Sequence, residues 1–176
     1  IKEQVIKEKD KQEKFSMKIA EQCAMLGSCK EAFERIITID RLNVLERRDK
    51  RIGDAAQKSR IHDAAVGLLA VEELELEIKS AGSAYDFAKA QKKMTSVIRQ
   101  IHRLDPAAAI SKKEYQEKMK DAFDNTNETE SFADRADLVD EQFVEALIQG
   151  DSMEECLRSK LSRKPVRTDS TPIDFG

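Results

Sequence analysis

Six lysines crowd the first eighteen residues of the chain, and their spacing could create a surface for anionic ligands. They are Lys2, Lys7, Lys9, Lys11, Lys14 and Lys18. Lys7, Lys11, Lys14 and Lys18 follow each other at intervals of four, three and four residues. A helix places residues at these intervals on one face. Ammonium groups near anionic lipid contribute on the order of 1 kcal/mol each, so the lysines predict a membrane-binding face. The alternative is an ordinary exposed helix laced with Glu–Lys pairs.

A second candidate lies near the C-terminus, in the stretch "EECLRSKLSRK" (Glu154 to Lys164). Leu157 and Leu161 are one helical turn apart and could enter an apolar groove of another protein, while Glu154 and Lys160 could fix the register by charge. The alternative is a short helix that packs both leucines on the protein itself.

Charge is distributed unevenly along the chain. The net charge is +4 over residues 1–60, +1 over 61–120 and −8 over 121–176. Five carboxylates are concentrated in one amphipathic stretch: Asp134, Asp137, Asp140, Glu141 and Glu145. This pattern predicts an acidic helix that folds back on a basic surface. The alternative is the ordinary variation in charge among solvated helices. Nucleic acid is not an expected partner, because no aromatic residues alternate with the lysines and the whole chain carries −3.

Residues for catalysis or metal binding are sparse. His62 and His102 lack Cys or His at ligand spacing, and Cys23 and Cys29 are six residues apart, which suits neither zinc nor a redox pair. We expect these cysteines to be core residues, and the odd total of three favours a reducing compartment. Because Gly-rich phosphate loops and nucleophile elbows are also missing, the sequence predicts a protein that is not an enzyme, with no cofactor and no metal.

The elements that carry these residues are all predicted to be helices. Apolar residues recur at three- and four-residue steps, and no stretch alternates as a strand would. A first helix is expected to stop at Gly27–Ser28, and a much longer one to continue through Gly53 to Ile78. The fold class is therefore all-α, with a long helical hairpin and shorter helices packed along it. We expect two units, a helical core over 1–150 and a tail over 151–176.

Three further elements are expected after the hairpin. A helix capped by Ser83 should end before Pro106, and another should begin at Ser111. The face of that later helix is formed by Tyr115, Met119, Ala122 and Phe123. The acidic helix should run from Phe132 to Leu147 and stop at Gly150. No apolar run approaches the length of a membrane span. Because the chain starts at Ile1 rather than Met, we expect it to be a fragment.

The order of these features resembles the ESCRT-III family, the charged multivesicular body proteins. The resemblance covers roughly residues 1–164. The stretch "LLAVEELELEIKSAGSAYDFAKAQKKMTSVIRQIHRLD" looks like the end of that family's second helix and its third, with Lys93-Met94 as the lysine–methionine pair. The stretch "YQEKMKDAFDNTNETESFADRADLVDEQFVEAL" looks like the fourth-helix region. Glu154, Leu157, Lys160 and Leu161 match the tail motif that MIT domains recognise, although Lys replaces Arg and Lys164 stands in place of the last Leu.

The resemblance implies a subunit that polymerises on membranes for budding, scission or endosomal and vacuolar sorting into multivesicular bodies. Its implied partners are other ESCRT-III subunits or copies of itself, an MIT-domain AAA ATPase and an anionic membrane surface. Its implied location is cytoplasmic and peripheral on endosomal or other membranes. The implied role of the acidic helix is autoinhibition in a closed state. The alternative function is a static coiled-coil scaffold or adaptor in a larger assembly.

Overall fold

The described part of the chain is entirely helical. The computed structural model describes residues 2–107 and 133–162, and these residues form helices and turns without any strand. The elements in chain order are α1 (Lys2–Asp49), α2 (Ala55–Lys79), α3 (Ala84–Leu104), a 3-10 turn (Ala136–Leu138), α4 (Glu141–Gln149) and α5 (153–162). The predicted all-α class is confirmed. The expected helix at Ser111, with Tyr115, Met119, Ala122 and Phe123, lies outside the described residues, as does Phe132.

The first chain reversal lies at residues 50–54, not where the sequence predicted it. The amide of Ile52 donates to the carbonyl of Arg47 at 2.8 Å, and that of Arg51 to Arg48 at 3.1 Å. Arg51 adopts the left-handed conformation with φ 57°. This pair of bonds is the Schellman arrangement that ends a helix, here with Arg in the position that glycine usually takes. The prediction that the long helix continues through Gly53 is wrong.

The predicted break at Gly27–Ser28 is wrong as well. Helix α1 runs without interruption for 48 residues, about 72 Å at 1.5 Å per residue. A glycine inside a helix costs only about 1 kcal/mol. Leu26 and Cys29, on either side of the pair, are buried in the core, and their burial outweighs that cost.

Helices α1 and α2 pack antiparallel at very short range. Gly67 of α2 faces the ring of Phe33, and a Cβ atom at Gly67 would lie 2.3 Å from its Cζ. Asp40 is buried and accepts a hydrogen bond from Nε of Arg60 at 2.8 Å. The antiparallel register follows from the turn at 50–54, since both pairs, Phe33 with Gly67 and Asp40 with Arg60, are centred on residue 50.

Helix α3 packs antiparallel to α2 and closes a three-helix core. Ser83 caps it by accepting from the amide of Asp86 at 3.2 Å, and it ends at Leu104, two residues before Pro106, so both predictions are confirmed. Arg60 also donates to the carbonyl of Leu104, which joins the end of α3 to the hairpin. At the other end of α3, the rings of Phe15 and Phe87 lie 5.5 Å apart.

The C-terminal segment 133–162 lies on another side of the hairpin. Its acidic helix begins at Glu141, later than the expected start near Phe132. Over the described residues 133–140 the chain before it forms a 3-10 turn but no α-helix, and Asp140 caps α4 by accepting from the amide of Phe143 at 2.9 Å. The predicted stop at Gly150 is confirmed by its left-handed φ of 108°.

Candidate functional site

The first part of α1 is a helix without cover from the rest of the described chain. Residues 2–14, which we call the lysine arm, are all exposed, and side-chain burial begins at Phe15. Val5 and Ile6 remain 62% and 59% exposed. The arm continues the packed part of α1, and its surface remains open to a partner.

The six predicted lysines are all exposed. Lys7, Lys11, Lys14 and Lys18 share one face, and the helical rotation of 100° per residue puts Lys2 and Lys9 on the opposite side. Within the described residues none of the six forms an ion pair, so the acidic residues between them do not neutralise them by direct contact.

At the other end of α1 the surface is covered. Segment 133–162 packs on the hairpin through an apolar contact that we call the docking seam. From this segment the seam contains Ala133, Val139, Phe143, Val144, Leu147, Ile148 and Cys156, all buried. Helix α4 contacts both α1 and α2. Because these side chains are fully withdrawn from water, apolar burial is the main force that holds the segment.

Two arginines of α1 hold α4 in register along this seam. Arg48 binds both carboxylate oxygens of Glu145, at 2.7 and 2.9 Å, and its Nε donates to Asp54 at 2.7 Å. These bonds raise the pKa of Arg48 and hold the pKa of Glu145 and of Asp54 below their usual range. The side chains are 34% and 43% exposed for Arg48 and Glu145, so water screens the pair and its net contribution is below about 1 kcal/mol.

Arg41 lies two turns earlier on the same face of α1. Its Nε donates to the carbonyl of Ile148 at 3.1 Å, and its Nη2 would lie 3.2 Å from a Cβ atom at Gly150. The carbonyls at a helix C-terminus lack partners within the helix and carry partial negative charge. Arg41 therefore supplies a hydrogen-bond donor to a free carbonyl at the C-terminus of α4, and this bond fixes the position of α4 against α1.

A third polar contact anchors the entry to the segment. The Glu73 carboxylate of α2 accepts from the amides of Asp134 at 2.9 Å and Arg135 at 3.2 Å. The side chain of Arg135 also lies 3.4 Å from both Glu72 and Glu73. The segment is thus bound at its start by a carboxylate of α2 and along α4 by two arginines of α1.

The five predicted carboxylates do not act together in the structure. Only Glu145 meets the hairpin, through Arg48. Asp140 caps α4 and pairs with Lys160 of α5; desolvation raises the pKa of Asp140, but the bonds from Lys160 and from the Phe143 amide lower it overall. Asp134, Asp137 and Glu141 are exposed and make no ion pair with the described residues.

The tail motif forms a helix that is partly used within the chain itself. Ser152 and Glu155 cap α5 reciprocally, with amide-to-side-chain distances of 3.0 and 3.1 Å. Cys156 is buried in the docking seam, and Leu157 is half-buried against the core.

The four predicted motif positions therefore have different surroundings. Lys160 is engaged by Asp140, whereas Glu154 is exposed and Leu161 is 54% exposed. While α5 is docked, the core covers part of Leu157, so a groove in another protein could not enclose that side chain fully.

The described residues bring together no reactive cluster. Across 2–107 and 133–162 no group of three or more His, Cys, Asp or Glu could hold a metal ion. Burial raises the pKa of the Cys29 thiol to about 12 and that of Cys156 to about 11, which keeps both protonated. None of the described helices has the combination of length and apolarity needed to cross a bilayer.

Sequence reasoning identified the lysines but missed the arginines that carry the docking contacts. Arg41 and Arg48 are seven residues apart, a spacing that puts them on one face of a helix. That signal was hidden because the segment around Arg48 was interpreted as the interior of an uninterrupted helix. Glu73 was hidden in the "EELELE" run, where its contact with Arg135 has no local signature.

Comparison with known proteins shows no family for this chain. No family model matches it, and neither a curated protein nor a solved structure does. Its function must therefore be argued from the arrangement of the lysine arm, the hairpin and the docked segment.

Proposed function

We propose that this chain is an ESCRT-III-like membrane-remodelling subunit, present here in a closed conformation. It would polymerise on anionic membranes, alone or with related subunits, for budding, scission or endosomal sorting. Its location would be cytoplasmic and peripheral on the membrane. The proposal assigns no catalysis to the chain, and ATP hydrolysis would belong to an MIT-domain ATPase that recycles the polymer.

The observation that carries the proposal is the way segment 133–162 docks on the basic hairpin. The docking seam is apolar, but the contacts that set its register, from Arg48 to Glu145 and from Arg41 to Ile148, lie at a partly exposed margin. A segment held in this way can dissociate as a unit. Its release would uncover an apolar face on α1 and α2 that neighbouring subunits could occupy.

The lysine arm supports the membrane part of the proposal. Its lysines are exposed and unpaired among the described residues while the C-terminal segment is docked. The closed chain would therefore already be able to bind anionic lipid weakly. Lipid and neighbouring subunits would together shift the chain from the closed to the open state.

The tail motif supports a link between opening and recycling. Leu157 is half-buried and Lys160 is held by Asp140 while α5 is docked. An MIT domain that grips Glu154, Leu157, Lys160 and Leu161 would need α5 to leave the core. The ATPase would then bind and recycle open subunits and would not bind closed ones.

Liposome sedimentation with electron microscopy tests the proposal. We compare the chain with Glu145→Arg, which sets two cations against each other at Arg48, and with Glu141→Arg as the matched control. Both variants make the same change in net charge on the same helix, but only Glu145 contacts the hairpin. We expect Glu145→Arg to pellet several-fold more with phosphatidylserine vesicles and to form filaments or tubes, and Glu141→Arg to behave like the parent chain.

The same assay separates the proposal from the static scaffold. A scaffold has no use for a lysine surface, so its sedimentation would not depend on anionic lipid. Equal pelleting of all three proteins with neutral and anionic vesicles, without filaments, would favour the scaffold. Enhanced pelleting by both variants alike would mean that net charge, and not the docking contact, controls binding.

A further inference from the structure

We infer that a groove beside α5 receives the lysine arm of a second copy of this chain. The inference goes beyond the proposed function, because it concerns closed chains in the absence of lipid. It rests on a surface that the docking of segment 133–162 creates.

The groove lies where α1 and α2 meet the C-terminal helices. Its volume is about 690 Å³. Apolar side chains form its lining, among them Ile37 of α1, Leu68 and Val71 of α2, and Met153 and Leu157 at α5. An apolar cleft between helices is suited to one face of another helix.

The margin of this groove is strongly acidic. Five carboxylates and one cation line it, namely Glu34, Glu72, Glu75, Asp151 and Glu154 with Lys30. Glu72 and Glu75 have partners in Arg135 and Lys79. Glu34, Asp151 and Glu154 are exposed and form no ion pair with the described residues. The groove therefore favours a helix that carries both apolar side chains and cations.

The lysine arm has this composition. It exposes Val5 and Ile6, it carries Lys7, Lys11 and Lys14 on another face of the same helix, and no described element covers it. It is also already a helix, so little ordering would be needed on binding. An acidic groove and a basic arm that no described element covers are thus present on one molecule.

The arm cannot enter the groove of its own chain. The groove reaches α1 at Leu26, and α1 is continuous from the arm through that residue. A continuous helix does not fold back on itself, so the arm extends away from the groove by roughly 1.5 Å per residue. The occupant must be the arm of another copy.

Contacts of this kind are heterologous, because each copy offers a different surface to each neighbour. Unless the rotation between copies closes a ring, such contacts build open chains. We therefore expect closed subunits to associate head to tail in solution, with a strength that falls as salt screens the charged margin.

A charge-exchange experiment tests the inference without lipid. The arm-reversed variant is Lys7→Glu/Lys11→Glu/Lys14→Glu, and the groove-reversed variant is Glu34→Lys/Asp151→Lys/Glu154→Lys. At low salt, sedimentation velocity should show that the parent chain self-associates. Each variant alone should associate at least about tenfold more weakly than the parent. An equimolar mixture of the two should recover association, because every arm again meets a groove of opposite charge. Lys50→Glu/Lys89→Glu/Lys92→Glu, which reverses three exposed lysines outside both surfaces, should associate like the parent.

A photo-crosslinking residue at position 5 identifies the surface that the arm touches. Crosslinks from one copy to Met153 or Leu157 of another support the inference. Crosslinks between two arms, or to any other surface, overturn it. A parent chain that stays monomeric at all concentrations, or a mixture no more associated than its components, also overturns it. None of these readouts involves membranes, so the proposed function can stand or fall separately.

Discussion

The two ends of α1 belong to the same helix and are both basic, yet they differ in their burial and in the hydrogen bonds of their cations. The first thirteen described residues carry lysines, and nothing in the described chain covers them. The end near the turn carries Arg41 and Arg48, and both are hydrogen-bonded to α4. Net charge read from the sequence does not distinguish these two ends.

The difference lies in the kind of cation and in the apolar residues beside it. Arginine presents a planar fork that binds a carboxylate through two bonds, as Arg48 does with Glu145, whereas lysine presents a hydrated point charge. Near the turn, buried residues such as Val44 give α4 an apolar surface on which to rest. The arm lacks such a stripe, so its cations remain available to an external partner.

The largest expected effect concerns two glycines of the hairpin, one packed against a side chain and one in open surroundings. Replacing Gly67 with Val should destabilise the protein by about 3 kcal/mol, because the new side chain would occupy the space of the buried Phe33 ring. Gly27→Val is the matched control, since nothing lies within 4 Å of a Cβ atom there. Valine is a slightly better helix former than glycine, so the free energy of unfolding should change by roughly 0.5 kcal/mol or less.

Urea unfolding followed by circular dichroism measures both changes. Equal losses at Gly27 and Gly67 would contradict the close contact between α1 and α2. They would also contradict the open surroundings of Gly27.

Two valines of α1 test the same contrast with a smaller change. Val44 is 0% exposed and Val5 is 62% exposed. Truncation of Val44 to Ala should cost about 2 kcal/mol through lost burial and the cavity that remains. Val5→Ala should change stability by less than about 0.5 kcal/mol. Thermal unfolding of the two variants side by side distinguishes them, and a substantial loss at Val5 would mean that the arm is covered in the isolated chain.

Local patterns were enough to predict the helical class and most helix ends. The cap at Ser83 and the stops at Pro106 and Gly150 depend on interactions within a few residues, which a sequence displays directly. The position of the hairpin turn was missed because it depends on tertiary pairing. Gly27 and Gly53 look alike in the sequence, but only a turn at 50–54 pairs Phe33 with Gly67 and Asp40 with Arg60.

The candidate site was predictable in part for the same reason. The lysine face follows from helical spacing alone, so its residues could be named in advance. The docking contacts join residues far apart in the chain, such as Arg48 with Glu145 and Glu73 with Arg135. No local pattern specifies which carboxylate of an acidic helix meets an arginine, and the carboxylates of four of the five residues that were named form no ion pair with the hairpin.

The smallest effect concerns the pH dependence of the Arg48–Glu145 pair. Arg48 lowers the folded-state pKa of Glu145 below the value of about 4.3 that an unfolded Glu shows. Such a group contributes stability that is present above its unfolded pKa and is lost as pH falls through the folded pKa. The parent chain should therefore be more stable than Glu145→Gln near neutral pH, by less than about 1 kcal/mol because the pair is partly exposed. The difference should shrink as pH falls below about 4.

In an Arg48→Ala background the same substitution should make almost no difference at any pH, which isolates the pair from the rest of the seam. Urea unfolding at several pH values measures all four proteins. A difference that persists at low pH, or that survives in the Arg48→Ala background, would show that Glu145 acts through packing, and the two ends of α1 would then differ in apolar cover alone.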